Sequence, residues 1–111
     1  MKWNNLNSIA QLDLIDEMSL SQPQVIFKHS TRCGVSISAL KSFEKEFPKE
    51  FSGEVYYLDL LNNRDVSDEI AERYSVVHES PQVLAILDKK CIYHESHSQI
   101  DWSAILKELI S

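Results

Sequence analysis

The order of patterned segments predicts an α/β fold: a mixed, four-stranded sheet flanked by helices on both faces, preceded by an extra N-terminal helix. Three observations carry this. Helix-spaced apolar segments alternate with short β-branched and aromatic runs, in the order helix, then β-α-β-α-β-β-α. The first two runs are separated by a helical stretch, as a crossover between parallel strands requires. The last two are separated only by Asp88-Lys89-Lys90, as an antiparallel hairpin requires.

Taken in order, Leu6, Ile9, Leu12 and Ile15 recur at helical spacing, with Asn7 or Ser8 as cap, and predict a helix from Ser8 to Met18. After the S-L-S-Q-P turn, Val25-Ile26-Phe27 reads as a buried parallel strand. Val35, Ile37, Leu40, Phe43 and Phe47 approximate the apolar face of a second helix, which Pro48 ends by disfavouring helical geometry at the residue before it. Val55 to Leu60 is the next strand, and Asp65 to Tyr74 a helix with Val66, Ile70 and Tyr74 inward at spacings of four. Pro81 to Leu87 and Cys91 to His94 form the closing hairpin. Trp102, Ile105, Leu106, Leu109 and Ile110 give the last helix its apolar stripe. Tyr56, Tyr57 and Trp102 are expected in the core.

With 111 residues and two glycines, three prolines and no repeat or linker-like tract, residues 1–111 read as one domain. A net charge of −6 and the lack of a Lys/Arg stripe argue against nucleic-acid or anionic-membrane partners. There is no signal-like N-terminus and no long apolar span, so the expected compartment is the cytoplasm. In that reducing setting Cys33 and Cys91 are not expected to form a structural disulfide.

Cys33 falls at the start of the second helix in H-S-T-R-C-G-V-S. An ordinary thiol with a pKa of about 8.5 is only about 3% ionised at pH 7, whereas unpaired N–H groups and the positive end of a helix favour the thiolate. Arg32 adds positive charge, Thr31 and Ser36 are potential hydrogen-bond donors to the sulfur, and Gly34 leaves it open. In a C-x-x-C motif the second cysteine resolves the mixed disulfide formed by the first; Ser36 stands there instead, so exchange must stop until an external thiol arrives. A structural reading, with Cys33 a small apolar residue and Ser36 a cap, competes with this one. Separately, Ser80-Pro81 opens the third strand, where a proline in an ordinary trans bond is tolerated.

Together, the element order, C-G-V-S after the first strand and S-P-Q-V opening the third resemble the thioredoxin-like superfamily. V-I-F-K-H-S-T-R-C-G-V-S, S-P-Q-V and H-E-S-H-S-Q-I are most similar to the YtxJ-type monothiol bacilliredoxins, over essentially the whole chain. The resemblance implies a monomeric thiol–disulfide oxidoreductase with no bound cofactor. Its co-substrate would be the thiol bacillithiol, and its partners S-bacillithiolated proteins. It implies Cys33 as nucleophile, Ser36 in the resolving position, Pro81 in a cis bond, and Ser80 offering its backbone to substrate. Lys28 and His29, at the end of the first strand, would lie near the site, where either could attract the anionic malate group of bacillithiol; as lone residues they read as solvated. C-G-V-S is also one substitution from the C-G-F-S of glutaredoxins that bridge an iron–sulfur cluster, which leaves a cluster carrier, or a non-catalytic binding module of the same fold, as the alternative. The longer polar loop and Gly-Gly turn of those glutaredoxins are missing here.

Cys91, on the final strand away from any helix start, reads as a structural thiol. His94 and His97 have metal-ligand chemistry without a completing set, so no metal site is expected; their loop reads as a helix cap through Ser98 or Asp101, or as a polar wall for a thiol.

Overall fold

Every residue of the strand Gln24–His29 is buried, which marks it as the centre of the sheet. The computed structural model describes residues 1–109. Strands β1 (Trp3–Asn5), β2 (Gln24–His29), β3 (Glu54–Asp59), β4 (Gln82–Leu87) and β5 (Lys90–Ser96) alternate with helices α1 (Ile9–Met18), α2 (Gly34–Lys45), α3 (Arg64–Arg73) and α4 (Trp102–Leu109). A 3-10 turn, His97–Gln99, leads toward α4. The strand order is β1-β3-β2-β4-β5, with β2 parallel to β3 and antiparallel to β4, and β4 and β5 joined as the expected hairpin.

The four expected strands are present, but the sheet has a fifth. Trp3–Asn5 adds to the outside of β3 in parallel, pairing Trp3 with Val55 and Asn5 with Tyr57. Three residues, two of them asparagine, carry no strand pattern. Long-range contacts hold the edge instead: Asn4 Nδ2 donates to the Val55 carbonyl at 3.1 Å and to Glu54 Oε1 at 3.0 Å, and the Trp3 ring stacks on Phe43. β2 also runs past Phe27, because Lys28 pairs with Leu58 on one side and Gln82 on the other.

Alternation along β2 divides the core. Val25 and Phe27 face Phe43, Trp102 and Ile105 of α2 and α4. Ile26 faces Leu12 and Ile15 of α1, and Val66 and Ile70 of α3. Trp102 stacks on Phe43 with centroids 4.5 Å apart and donates its indole N–H to the Phe43 carbonyl at 3.0 Å, so its one polar atom is satisfied in the core. Of the expected cap residues Ser8 starts α1, and the Gln11 side chain accepts its N–H at 3.0 Å.

Two apolar stripes are narrower than their spacing suggests. Ile9 of α1, and Val35 and Ile37 at the head of α2, are exposed; in α2 it is Phe43 that is buried in the core, with Leu40 and Phe47 packed against that core. Ile110 of the last stripe lies outside the described residues. Among the described residues no helix is long and apolar enough to cross a membrane.

Candidate active site

β2 ends and α2 begins within a few residues, and the intervening turn is fixed from both sides. The Cys33 N–H closes it onto the Ser30 carbonyl at 3.2 Å. The Ser30 N–H donates to Ser36 Oγ at 3.0 Å. Cys33 is the N-cap of α2, with extended backbone (φ −111°, ψ 120°), and its carbonyl accepts the N–H of Ile37 at 3.0 Å. Its thiol is half-buried and free. A sulfur on an N-cap residue is beside unpaired helix N–H groups that no side chain caps here.

Ser36 is buried and fully committed. Oγ accepts from Ser30 and is hydrogen-bonded to His29 Nδ1, 2.9 Å away. Burial, the largest effect on His29, lowers its pKa and favours the neutral ring, against the attraction of Asp59. The expected hydrogen bond from Ser36 to the sulfur is thus corrected: Ser36 braces the turn from beneath. The expected solvated placement of His29 and Lys28 is corrected too, since both are buried strand residues.

Lys28 is on the opposite face of the sheet from His29, and its Nζ has no hydrogen-bond partner. Gln82, directly across in β4, has an equally unpaired buried Oε1, while its amide donates to the Val77 carbonyl at 3.0 Å. Burial pulls the Lys28 pKa down to about 8, opposed by Asp68. It cannot meet a solvent carboxylate without leaving this position.

The Ser80-Pro81 bond is cis. The Pro81 carbonyl accepts the N–H of His97 at 2.9 Å, and Ser96 Oγ donates to Glu79 at 2.7 Å, so the loop before β4 is pinned to the end of β5. His97 shares a polar hollow of about 560 Å³ with Gly34, Val35, Ser38 and Ser98. Asp101 caps α4, its Oδ1 accepting the Ser103 N–H at 3.1 Å, as one of the two sequence readings of this loop expected. Thr31 and Arg32 are exposed; with Leu61, Asn62 and Arg64 they line a second hollow of about 320 Å³ on the other side of the turn. A larger hollow of about 630 Å³, between residues 50–52 and α4, is lined by no residue adjacent to Cys33, whereas Gly34 and Arg32 line the two hollows on either side of the turn.

Cys91 packs against the α1/α3 core and donates to the Tyr93 carbonyl at 3.3 Å. Burial pushes its pKa up to about 11, which keeps it a thiol. Two features escaped the sequence reading, the His29–Ser36 brace and Arg64, because no spacing in the sequence announces either.

A lone cysteine at the head of α2, a serine three residues on, and a cis-proline opening the antiparallel strand define a thioredoxin-fold thiol oxidoreductase of the monothiol type. Solved structures agree. A candidate oxidoreductase with a thioredoxin fold superposes with a TM-score of 0.80 at 32% identity, covering 95% of this chain and 91% of the other. Thioredoxin f from spinach chloroplast (short form; TM-score 0.73, 13% identity, 98% and 91% covered) and thioredoxin from Trypanosoma brucei brucei (0.73, 19%, 98% and 88%) share the fold. The family described as monothiol bacilliredoxin BrxC matches residues 4–105. The chain belongs to the monothiol bacilliredoxin family.

Proposed function

We propose that this protein removes bacillithiol from S-bacillithiolated proteins in the cytoplasm. The observation that most supports this reading is the pairing of an accessible Cys33 with a buried, hydrogen-bonded Ser36 that cannot resolve a disulfide. The Cys33 thiolate attacks the bacillithiol sulfur of the mixed disulfide; the client sulfur leaves as a thiolate and takes a proton from solvent. Cys33 is then disulfide-bonded to bacillithiol. A second, external thiol attacks that bond, leaving Cys33 reduced and carrying bacillithiol away as a new disulfide, so the external thiol supplies the two electrons. Ser80, next to the cis-proline, offers its backbone to an extended client segment, and exposed Val35, in the first turn of α2, offers apolar contact.

The test is a client protein carrying one bacillithiol, incubated with reduced protein. The expected result is loss of bacillithiol mass from the client and its gain on Cys33, abolished by Cys33→Ser and untouched by Cys91→Ser. Bacillithiol remaining on the client would reject the reading. A brown, dimeric preparation holding iron and sulfide would favour the cluster carrier.

A further inference from the structure

The hollow beside the cysteine turn, on the α3 side, has a specific chemistry. Two of its five lining residues are arginines from different elements: Arg32 precedes the nucleophile, and Arg64 is the first residue of α3. The chain has 17 acidic residues against 11 Lys and Arg, yet among the described residues neither guanidinium has a carboxylate within ion-pair distance. Arg73, at the other end of α3, shows the contrast, with Asp13, Asp16 and Glu69 all at 3.0–3.1 Å.

Nearby acids do not fill the role. Asp59 is occupied by the Leu61 N–H at 3.2 Å and the Asn62 amide at 2.8 Å. Asp59, although its oxygens are occupied, and Asp65, in the first turn of α3, are the acids that oppose an anion there. Positive charge extends inward: unpartnered Lys28 and Arg64 both lower the pKa of His78, which burial lowers most, while Asp68 and Glu79 oppose them. The free N–H groups at the start of α3 add the same sign.

We propose that the Thr31, Arg32, Arg64 hollow receives the dicarboxylate end of the low-molecular-weight thiol while its sulfur is at Cys33, an assignment that rests on the proposed function. Guanidinium groups suit it because each presents a planar fork that matches a carboxylate with two parallel hydrogen bonds, and two forks on separate elements can each take one. The Thr31 hydroxyl supplies a further donor. This gives the anion recognition that buried Lys28 and His29 cannot make directly.

The experiment compares one client carrying either bacillithiol, with two carboxylates, or neutral 2-mercaptoethanol as the mixed disulfide. The wild-type protein should exchange the bacillithiol client about tenfold faster, and added salt should shrink that preference. Arg64→Gln should lower the preference at least about fivefold, Arg64→Lys should keep part of it, and Arg64→Gln with Arg32→Gln should erase it. In parallel, L-malate titrated into reduced protein should shift the backbone amide NMR signals of Thr31, Arg32, Leu61 and Arg64, and Arg64→Gln should abolish the shifts. A preference unchanged by Arg64→Gln overturns the pocket while leaving the exchange reaction standing. Absence of exchange with both clients overturns the proposed function, and the malate titration still decides the pocket: no shift at those amides rejects it.

Discussion

At the residue scale the division of labour among the polar side chains near Cys33 follows from burial. Ser36 is in the resolving position but is buried beneath the turn, accepting the Ser30 N–H and hydrogen-bonded to His29 Nδ1. Ser36→Ala should therefore act on stability: the part-buried Ser30 N–H and the buried His29 ring lose their partner, at a cost of about 1–3 kcal/mol, measurable as a lower urea midpoint. The Cys33 sulfur should remain open to alkylation. The two thiols should separate cleanly by the same reasoning. Cys91 is held protonated by burial, with a pKa raised to about 11, so iodoacetamide near neutral pH should label Cys33 first, as read by peptide mass spectrometry. Labelling of Cys91 ahead of Cys33 in folded protein would contradict the site.

At the element scale, turn and helix-start chemistry make sharper predictions than the hydrophobic pattern. The β4–β5 hairpin turns on Asp88 and Lys89, whose φ angles are 53° and 65°, a left-handed pair that Asn-Gly usually supplies. Ser19 compensates: its carbonyl accepts the Asp88 N–H at 2.9 Å, and its hydroxyl accepts the Lys89 N–H at 2.8 Å. Lys89→Gly keeps both bonds and removes the Cβ penalty, so it should stabilise the domain by about 0.5–1 kcal/mol in denaturant melts. Gly53 shows the opposite case, because a Cβ there would come within 1.8 Å of the Pro23 carbonyl. Gly53→Ala must push apart the segments that lead into β2 and β3, and should lower the melting temperature by several degrees. These features also show where sequence reading stops. Strands β2 to β5 and all four helices were legible because burial imposes a period on them, and the thiol site was legible because its residues are close in sequence. β1 was not, since three edge residues have no period, and neither were the turn strain, Ser19 or Arg64, whose roles depend on segments far away in the chain.

For the whole molecule, the shifted groups predict an unusual pH profile of stability. His29 and His78 are held neutral with lowered pKa values; the unfolded chain takes up their protons first, so stability falls as pH drops below about 6.5. Lys28 works in the same direction at higher pH. Its folded pKa of about 8 is below the ordinary 10.5, so the unfolded state binds more protons between those values and stability rises with pH across that window. From pH 7 to pH 9 this amounts to about 1.4 kcal/mol. Opposing it, Cys91 is raised from 9.0 to about 11, and Tyr56, Tyr57, Tyr74 and Tyr93 are raised above 10.0; each loses stability as pH climbs past its unfolded value. Stability should therefore peak at roughly pH 9, alkaline of the usual range. Lys28→Met provides the control, because it replaces an unpartnered buried ammonium with an apolar chain of similar length. It should raise stability at pH 7 by on the order of 1–3 kcal/mol and remove the rise between pH 7 and pH 9. Urea unfolding at half-unit pH steps checks both: a wild-type profile that is flat from pH 7 to pH 9, or a Lys28→Met profile that still rises there, would show that Lys28 is not the buried charge that sets the curve.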